Sequence, residues 1–219
     1  MKRTQSNRRQ FLQTTAAITA GYWVAGGAQA QDSHSPNDRI AMASVGIGGK
    51  GSSDSGNAAK HGDMVAICDA DRDRLEKAGQ REGFGKAKKY TDFRKMLEEM
   101  GDSIDAVTVS TPDHTHAPAA LMAMRMGKHC FCQKPLTRSV YEARLMGQVA
   151  REKGVATQMG NQGTAESGLR QAAAWLRAGA LGNVQEVHVW TNRPIWPQGI
   201  LTPNEGPCPD SLDWEAWIG

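Results

Sequence analysis

No CxxC pair occurs among the four cysteines, Cys68, Cys130, Cys132 and Cys208. The first three sit in apolar, strand-like runs where a thiol behaves as a small hydrophobe. Cys130 and Cys132 share one face of one strand, a poor geometry for a disulfide, and the pair offers too few ligands for a metal site. Buried free thiols and no metal are therefore expected. Long apolar runs are missing too: Thr14–Ala28 is rich in Thr, Ala and Gly and falls short of the roughly 20 residues of a spanning helix, against a permanent membrane span. Basic clusters are scarce. Lys86, Lys88 and Lys89 read as a solvated approach to a strand, so no nucleic-acid partner is expected.

The N-terminus has its own character. Asn7-Arg8-Arg9-Gln10-Phe11-Leu12 places twin arginines before the Thr14–Ala28 stretch, and Ala28-Gln29-Ala30 has the small-x-small form of a signal-peptidase site. Residues 1–30 read as a twin-arginine export signal and 31–38 as a linker. The expected partner is the twin-arginine export machinery and the expected location periplasmic; a disordered basic tail is the alternative. Lys2, Arg3, Arg8 and Arg9 face no acid in the first thirty residues, so the formal charge of +3 becomes −1 beyond them. That route exports folded proteins, which allows a cofactor to be loaded beforehand.

Val45–Gly51 reads VGIGGKG, a GxGxxG turn carried by Gly46, Gly48 and Gly51, and Asp69 closes the apolar run MVAICD eighteen residues after the last glycine. The first glycine permits a tight strand-to-helix turn. The second lets backbone amides approach a pyrophosphate, and the third lets helix and strand pack closely. Asp69 is placed to take the adenosine ribose hydroxyls. A carboxylate there repels a 2′-phosphate, favouring NAD over NADP, although Arg72 and Arg74 lie near enough in sequence to soften the preference. The alternative is an α/β domain whose glycines only shape a loop.

Regular alternation surrounds this motif. Strands are predicted at Ile40–Val45, Met64–Cys68, Lys88–Tyr90, Ile104–Ser110, Lys128–Cys132 and Val155–Met159. Helices are predicted at Ser52–Lys60, Arg72–Arg81, Phe93–Met100, a segment ending at Met126, and Ser139–Lys153, with Leu121, Met122 and Met124 as core. Six strands with intervening helices predict a doubly wound parallel α/β sheet over 39–160. Ligands bind such sheets at the carboxyl ends of the strands.

Two of those ends carry unusual residues, the loop Ser110-Thr111-Pro112-Asp113-His114-Thr115-His116 and the triplet Gln133-Lys134-Pro135. Lys134 lies between a buried strand and a proline that restricts its backbone. An ammonium there can polarise a carbonyl or stabilise a developing alkoxide; a structural salt bridge is the competing role. His114 and His116 form an HxH without a cysteine or acid at ligand spacing, so hydrogen-bonding histidines are the simpler reading.

The glycine turn, Asp69, the STPDHTH loop and the QKP loop, in that order, resemble the glucose-fructose oxidoreductase/inositol dehydrogenase family. Gly160–Gly163 (GNQG) and Val187–Gly199 (VHVWTNRPIWPQG) are similar to its exported bacterial members. The resemblance implies a Rossmann domain followed by a second α+β domain. It implies that Thr111 and Pro112 lie against the cofactor, with His116 near the nicotinamide side. It also implies that Lys134 touches the nicotinamide ribose and the reacting group of the substrate. Gln133 departs from the family's EKP motif; it still offers a hydrogen bond to a ribose but carries no charge. The implied activity is hydride transfer between NAD and a sugar, polyol or related carbohydrate. Rival readings are an NAD-dependent glycoside hydrolase working by transient oxidation and a noncatalytic nucleotide- or sugar-binding module.

Beyond Gly160 the chain is harder to close on itself. A helix is predicted at Glu166–Ala178 and a strand at Val184–Thr191, but a single strand lacks partners. Residues 161–219 therefore read as the beginning of an incomplete substrate domain in a longer protein, for which a homo-oligomer is expected. Asn161, Gln162, Trp190 and Arg193 fall where a substrate wall would form, though packing and loop hydrogen bonds account for Trp190 and Asn161 equally well.

Overall fold

The structure, a computed structural model, describes residues 39–191 and 204–219. The export signal, the linker and Arg193 lie outside the described residues.

Six parallel strands form one sheet: β1 (Ile40–Val45), β2 (Gly62–Cys68), β3 (Lys88–Tyr90), β4 (Ala106–Val109), β5 (His129–Gln133) and β6 (Thr157–Gly160). Their order is β3-β2-β1-β4-β5-β6, so the chain reverses its direction of travel across the sheet between β1 and β4. This is the doubly wound arrangement with its topological switch point beside β1. The register aligns Val45 with Cys68 on one side and with Val109 on the other, and Val109 with Cys132. The carboxyl ends therefore share one rim. At the switch point the Ser44 and Thr108 hydroxyls, 2.7 Å apart, satisfy each other inside the sheet.

The helices are α1 (Gly49–Ala58), α2 (Arg72–Gly79), α3 (Phe93–Met100), α4 (Asp113–Arg125), α5 (Val140–Lys153), α6 (Ser167–Arg177) and α7 (Trp214–Ile218). Their starts follow local chemistry. The Asp71 and Asp92 side chains cap α2 and α3 by accepting from the amides two residues on. Ser139 and Glu142 form a reciprocal capping box, and Gly154 in the left-handed region ends α5. One core packs α3, α4 and α5 against the sheet around Met96, Leu97, Val107, Val109 and Met124. A second, around Ile47, Ile67, Leu75 and Phe84, lies towards α1 and α2. Burying each such large side chain contributes about 1.5–3 kcal/mol.

Three expectations need correction. The helix after the glycine turn begins at Gly49, not Ser52, because the third glycine is already inside it. The fourth strand is shorter than the β-branched run, since Ile104 is the exit of a short turn and Ser110 already belongs to the rim. Residues 184–191 form no strand: Val189 is 91% exposed and Trp190 84% exposed. Alternation alone cannot hold a strand, and the described sheet ends at β6 without taking this segment in.

Candidate dinucleotide site at the strand ends

The turn leaving β1 admits glycine for identifiable reasons. Gly46 has φ +77°, and a Cβ there would sit 2.6 Å from the Ser110 carbonyl oxygen. A Cβ on Gly51 would lie 1.9 Å from the carbonyl oxygen of Gly46. Gly48 differs: its φ is −87°, and the nearest atoms a Cβ would meet belong to the flexible Arg74 side chain. Two glycines serve the turn and the packing, and Gly48 keeps the amides at the start of α1 approachable from outside. An unblocked helix N-terminus of this kind suits a phosphate.

Asp69 follows β2 directly. Its Oδ2 accepts from the amides of Ile47 at 3.0 Å and Gly48 at 3.2 Å, and its Oδ1 from Asp71 at 3.1 Å. A carboxylate offers about four acceptor positions, so one is left for a ribose hydroxyl. A cleft of about 250 Å³ opens here, between Gly46, Gly48 and Asp69 on one side and Ser110, Thr111 and Pro112 on the other. Arg74 reaches the same cleft and pairs with Asp71 at 3.3 Å, whereas the Arg72 amide donates to Ser211.

His116 is buried, and both its ring nitrogens face backbone carbonyls: Nδ1 lies 2.6 Å from Pro135 O and Nε2 2.8 Å from Thr111 O. It ties the STPDHTH loop to the QKP loop from beneath. His114 points elsewhere, its Nε2–H donating to Trp217 O at 2.8 Å. The HxH is thus not a chelate, and among the described residues no cluster of three metal-ligating side chains occurs.

Gln133 is buried at the end of β5 and leads to a residue that sequence reasoning missed. Its Nε2 donates to Asp54 Oδ2 at 2.8 Å, and its Oε1 accepts from the Lys134 amide at 2.9 Å. Asp54, buried in α1, also accepts from Ser110 Oγ at 2.9 Å and from Gln162 Nε2 at 3.4 Å, and pairs with Lys50. The only trace of this centre in the sequence is a carboxylate three residues after Gly51, four after Lys50, in a helix start otherwise made of small residues. An uncharged amide at 133 suits that neighbour, because a glutamate would set two carboxylates against each other.

Lys134 is exposed at the rim, and among the described residues no carboxylate lies in ion-pair reach of its ammonium. Asn161 caps a short turn through its carbonyl, which accepts from Thr164 Oγ at 2.6 Å. Gln162 donates to Asp54, the carboxylate that also holds Gln133, and Trp190 is not brought to the site. The cysteines behave as expected from burial. Cys68, Cys130 and Cys132 are free and buried, and desolvation pushes all three thiols up, Cys130 to about 12.

A glycine turn, a carboxylate after β2 and a cleft beside the switch point define a dinucleotide-binding Rossmann domain. Comparison with known proteins agrees: the model of the glucose-fructose oxidoreductase/inositol dehydrogenase family, described as an oxidoreductase family with an NAD-binding Rossmann fold, matches residues 39–161. The chain belongs to that family. It is 31% identical over 120 residues to the D-apiose dehydrogenase of Paraburkholderia graminis, covering 55% of this chain and 31% of that protein. To a glycosyl hydrolase family 109 protein of Shewanella pealeana it is 31% identical over 163 residues, covering 62% and 35%. Among solved structures, the scyllo-inositol dehydrogenase of Lactobacillus casei with bound NAD(H) and scyllo-inositol shares the fold, with a TM-score of 0.61 at 24% identity over 67% of this chain and 43% of that one. The chain spans about a third of the length of these curated relatives.

Proposed function

We propose that this chain is the nucleotide-binding part of an exported NAD-dependent oxidoreductase acting on a sugar, polyol or related carbohydrate. The observation that carries the reading is the spatial order along one rim: the glycine turn, then Asp69 on one side of it, and Lys134 two strands away on the other. The amides at the start of α1 would hold the pyrophosphate and Asp69 the adenosine ribose, with Thr111 and Pro112 along the cleft. The nicotinamide supplies a hydride acceptor or donor when bound. Lys134 would hold its ammonium at the substrate oxygen, stabilising charge there as the carbinol carbon is oxidised or the carbonyl reduced. Gln133 and His116 fix the loop that carries it.

Export rests on Arg8-Arg9 and the Ala28-Gln29-Ala30 site; replacing both arginines with lysine would hold the protein in the cytoplasm on cell fractionation. The similarity to a glycosyl hydrolase family 109 protein favours one second reading, transient oxidation that ends in glycoside cleavage. Product analysis separates the two: free sugar without accumulated NADH marks hydrolysis.

The test begins with NADH titration, read as energy transfer from tryptophan. Saturable binding is expected, lost in Gly51→Trp and weakened in Asp69→Ala. In the longer protein, Lys134→Ala is expected to bind NADH but to lose turnover on the order of 10²–10³-fold, as when a group stabilising a developing oxyanion is removed. A folded chain that ignores NADH overturns the reading.

A further inference from the structure

The cleft has a third wall that comes from far along the chain. Asp71 and Leu212 form a short antiparallel bridge: the Arg72 amide donates to Ser211 O at 2.9 Å, and the Asp213 amide to Ala70 O at 2.8 Å. The segment is thus fastened to the loop that begins with Asp69. A second anchor lies across the opening, where His114 Nε2–H donates to Trp217 O and the two rings meet edge to face at 5.1 Å. Residues 209–217 therefore bridge the loops after β2 and β4. Pro209, Leu212, Ala216 and Trp217 line the cleft opposite the glycine turn, and Trp214 stacks on Trp217 at 5.4 Å.

The position and size of the cleft say what this wall receives. At about 250 Å³, it lies below the roughly 300–1,000 Å³ of pockets that enclose whole drug-sized ligands, a size that suits one half of a dinucleotide. The wall's backbone bridge lies beside Asp69 and its second anchor on the loop after β4, with none on β5 or Lys134 among the described residues, which favours the half whose ribose Asp69 would hold. Its apolar side chains offer a flat base what a polar rim cannot, a desolvated surface and an aromatic ring.

We propose that the Pro209–Trp217 segment is the adenosine-side wall of the cofactor site, with Leu212 and Trp217 as the side chains that contact the adenine. The inference rests on the NAD reading above and extends the nucleotide site beyond residues 39–161. It makes adenosine affinity depend on a stretch of chain that follows the start of the second domain.

The test uses the full chain and two probes, ADP-ribose and reduced nicotinamide mononucleotide. Leu212→Asp and Trp217→Ala are each expected to weaken ADP-ribose by about tenfold, the effect of one lost stacking or apolar contact to a base, while the mononucleotide binds as before. ADP-ribose is also expected to change tryptophan emission in the unmodified chain and to lose that signal in Trp217→Phe, a conservative change that preserves folding if the other variants do not. Unchanged ADP-ribose affinity in folded variants overturns the inference, and so does tighter binding, which would mean that the segment fills the site. Binding that is lost in Asp69→Ala but indifferent to the wall overturns the wall alone. No ADP-ribose binding by the unmodified chain overturns the cofactor reading with it.

Discussion

Helices α3 and α6 carry the same apolar spacing and meet different fates. Phe93, Met96, Leu97 and Met100 stand at i, i+3, i+4 and i+7, as do Leu169, Ala172, Ala173 and Leu176. In α3 all four are buried, Met96 and Leu97 completely. In α6 no residue is buried, and Leu176 remains 51% exposed. Spacing at 3.6 residues per turn fixes which face of a helix is apolar. It does not supply the surface that covers it. The helix of the nucleotide domain has β2, β3 and α4 against it, whereas α6 lies against the short turn at Gln162–Ala165.

Truncating one leucine on the apolar face of each helix probes that difference most strongly. Leu97→Ala is expected to cost about 2–5 kcal/mol, because the transfer energy of the side chain is lost and a cavity remains. Leu176→Ala is expected to fall within about 0.5 kcal/mol of zero. Urea unfolding followed by circular dichroism reads both. Equal costs would mean that α6 is covered in solution and would erase the distinction.

The same divide separates what the sequence discloses from what it hides. The bounds of β3 and α3 are read at the residue, because a capping Asp92 and an i, i+3, i+4, i+7 pattern are local signals. The start of α1 is displaced, because three glycines in Gly-Gly-Lys-Gly give little helical propensity and the turn is set by Gly51 packing on Gly46. The Val184–Thr191 expectation fails because strand pairing is decided by a partner, not by the alternating stretch itself. In the site, Gly46, Gly48, Gly51, Asp69 and Lys134 are legible from spacing and their place at strand ends. Asp54 is not, since its meaning lies in Gln133, 79 residues away. The 209–217 wall is hidden for the same reason: two backbone hydrogen bonds to the loop after Asp69 place it, and no side-chain pattern announces them.

Asp54 gives an intermediate test, because its partners come from both regions. Asp54→Ala leaves the buried Gln133 amide without its acceptor, at an expected cost of about 1–3 kcal/mol. Gln162, exposed and 3.4 Å away, is the one partner from beyond residue 160 among the described residues, and Gln162→Ala is expected to change stability by less than about 0.5 kcal/mol. Thermal melts of both variants check the pair. A large effect at Gln162 would mean that residues 161–165 are part of the core's hydrogen bonding, and the boundary would shift accordingly.

The thiols sharpen the comparison at its smallest scale. Burial raises Cys68, Cys130 and Cys132 in the folded chain, while Cys208 is exposed beside the cleft wall. Cys208 is expected to alkylate first in native protein, with the other three protected until unfolding. The same shifts fix a direction for stability. Each buried thiol keeps its proton above the pH at which the unfolded thiol loses it, so its contribution is complete below the ordinary value of 9.0 and falls as pH rises from there, towards about 12 for Cys130. The loss is at most about 1.4 kcal/mol per thiol for each pH unit in that window. Unfolding midpoints should therefore drop above pH 9.0, and a Cys130→Ala variant should flatten part of that slope. A slope that survives replacement of all three buried cysteines would assign the alkaline loss to other groups and leave the thiols as packing alone.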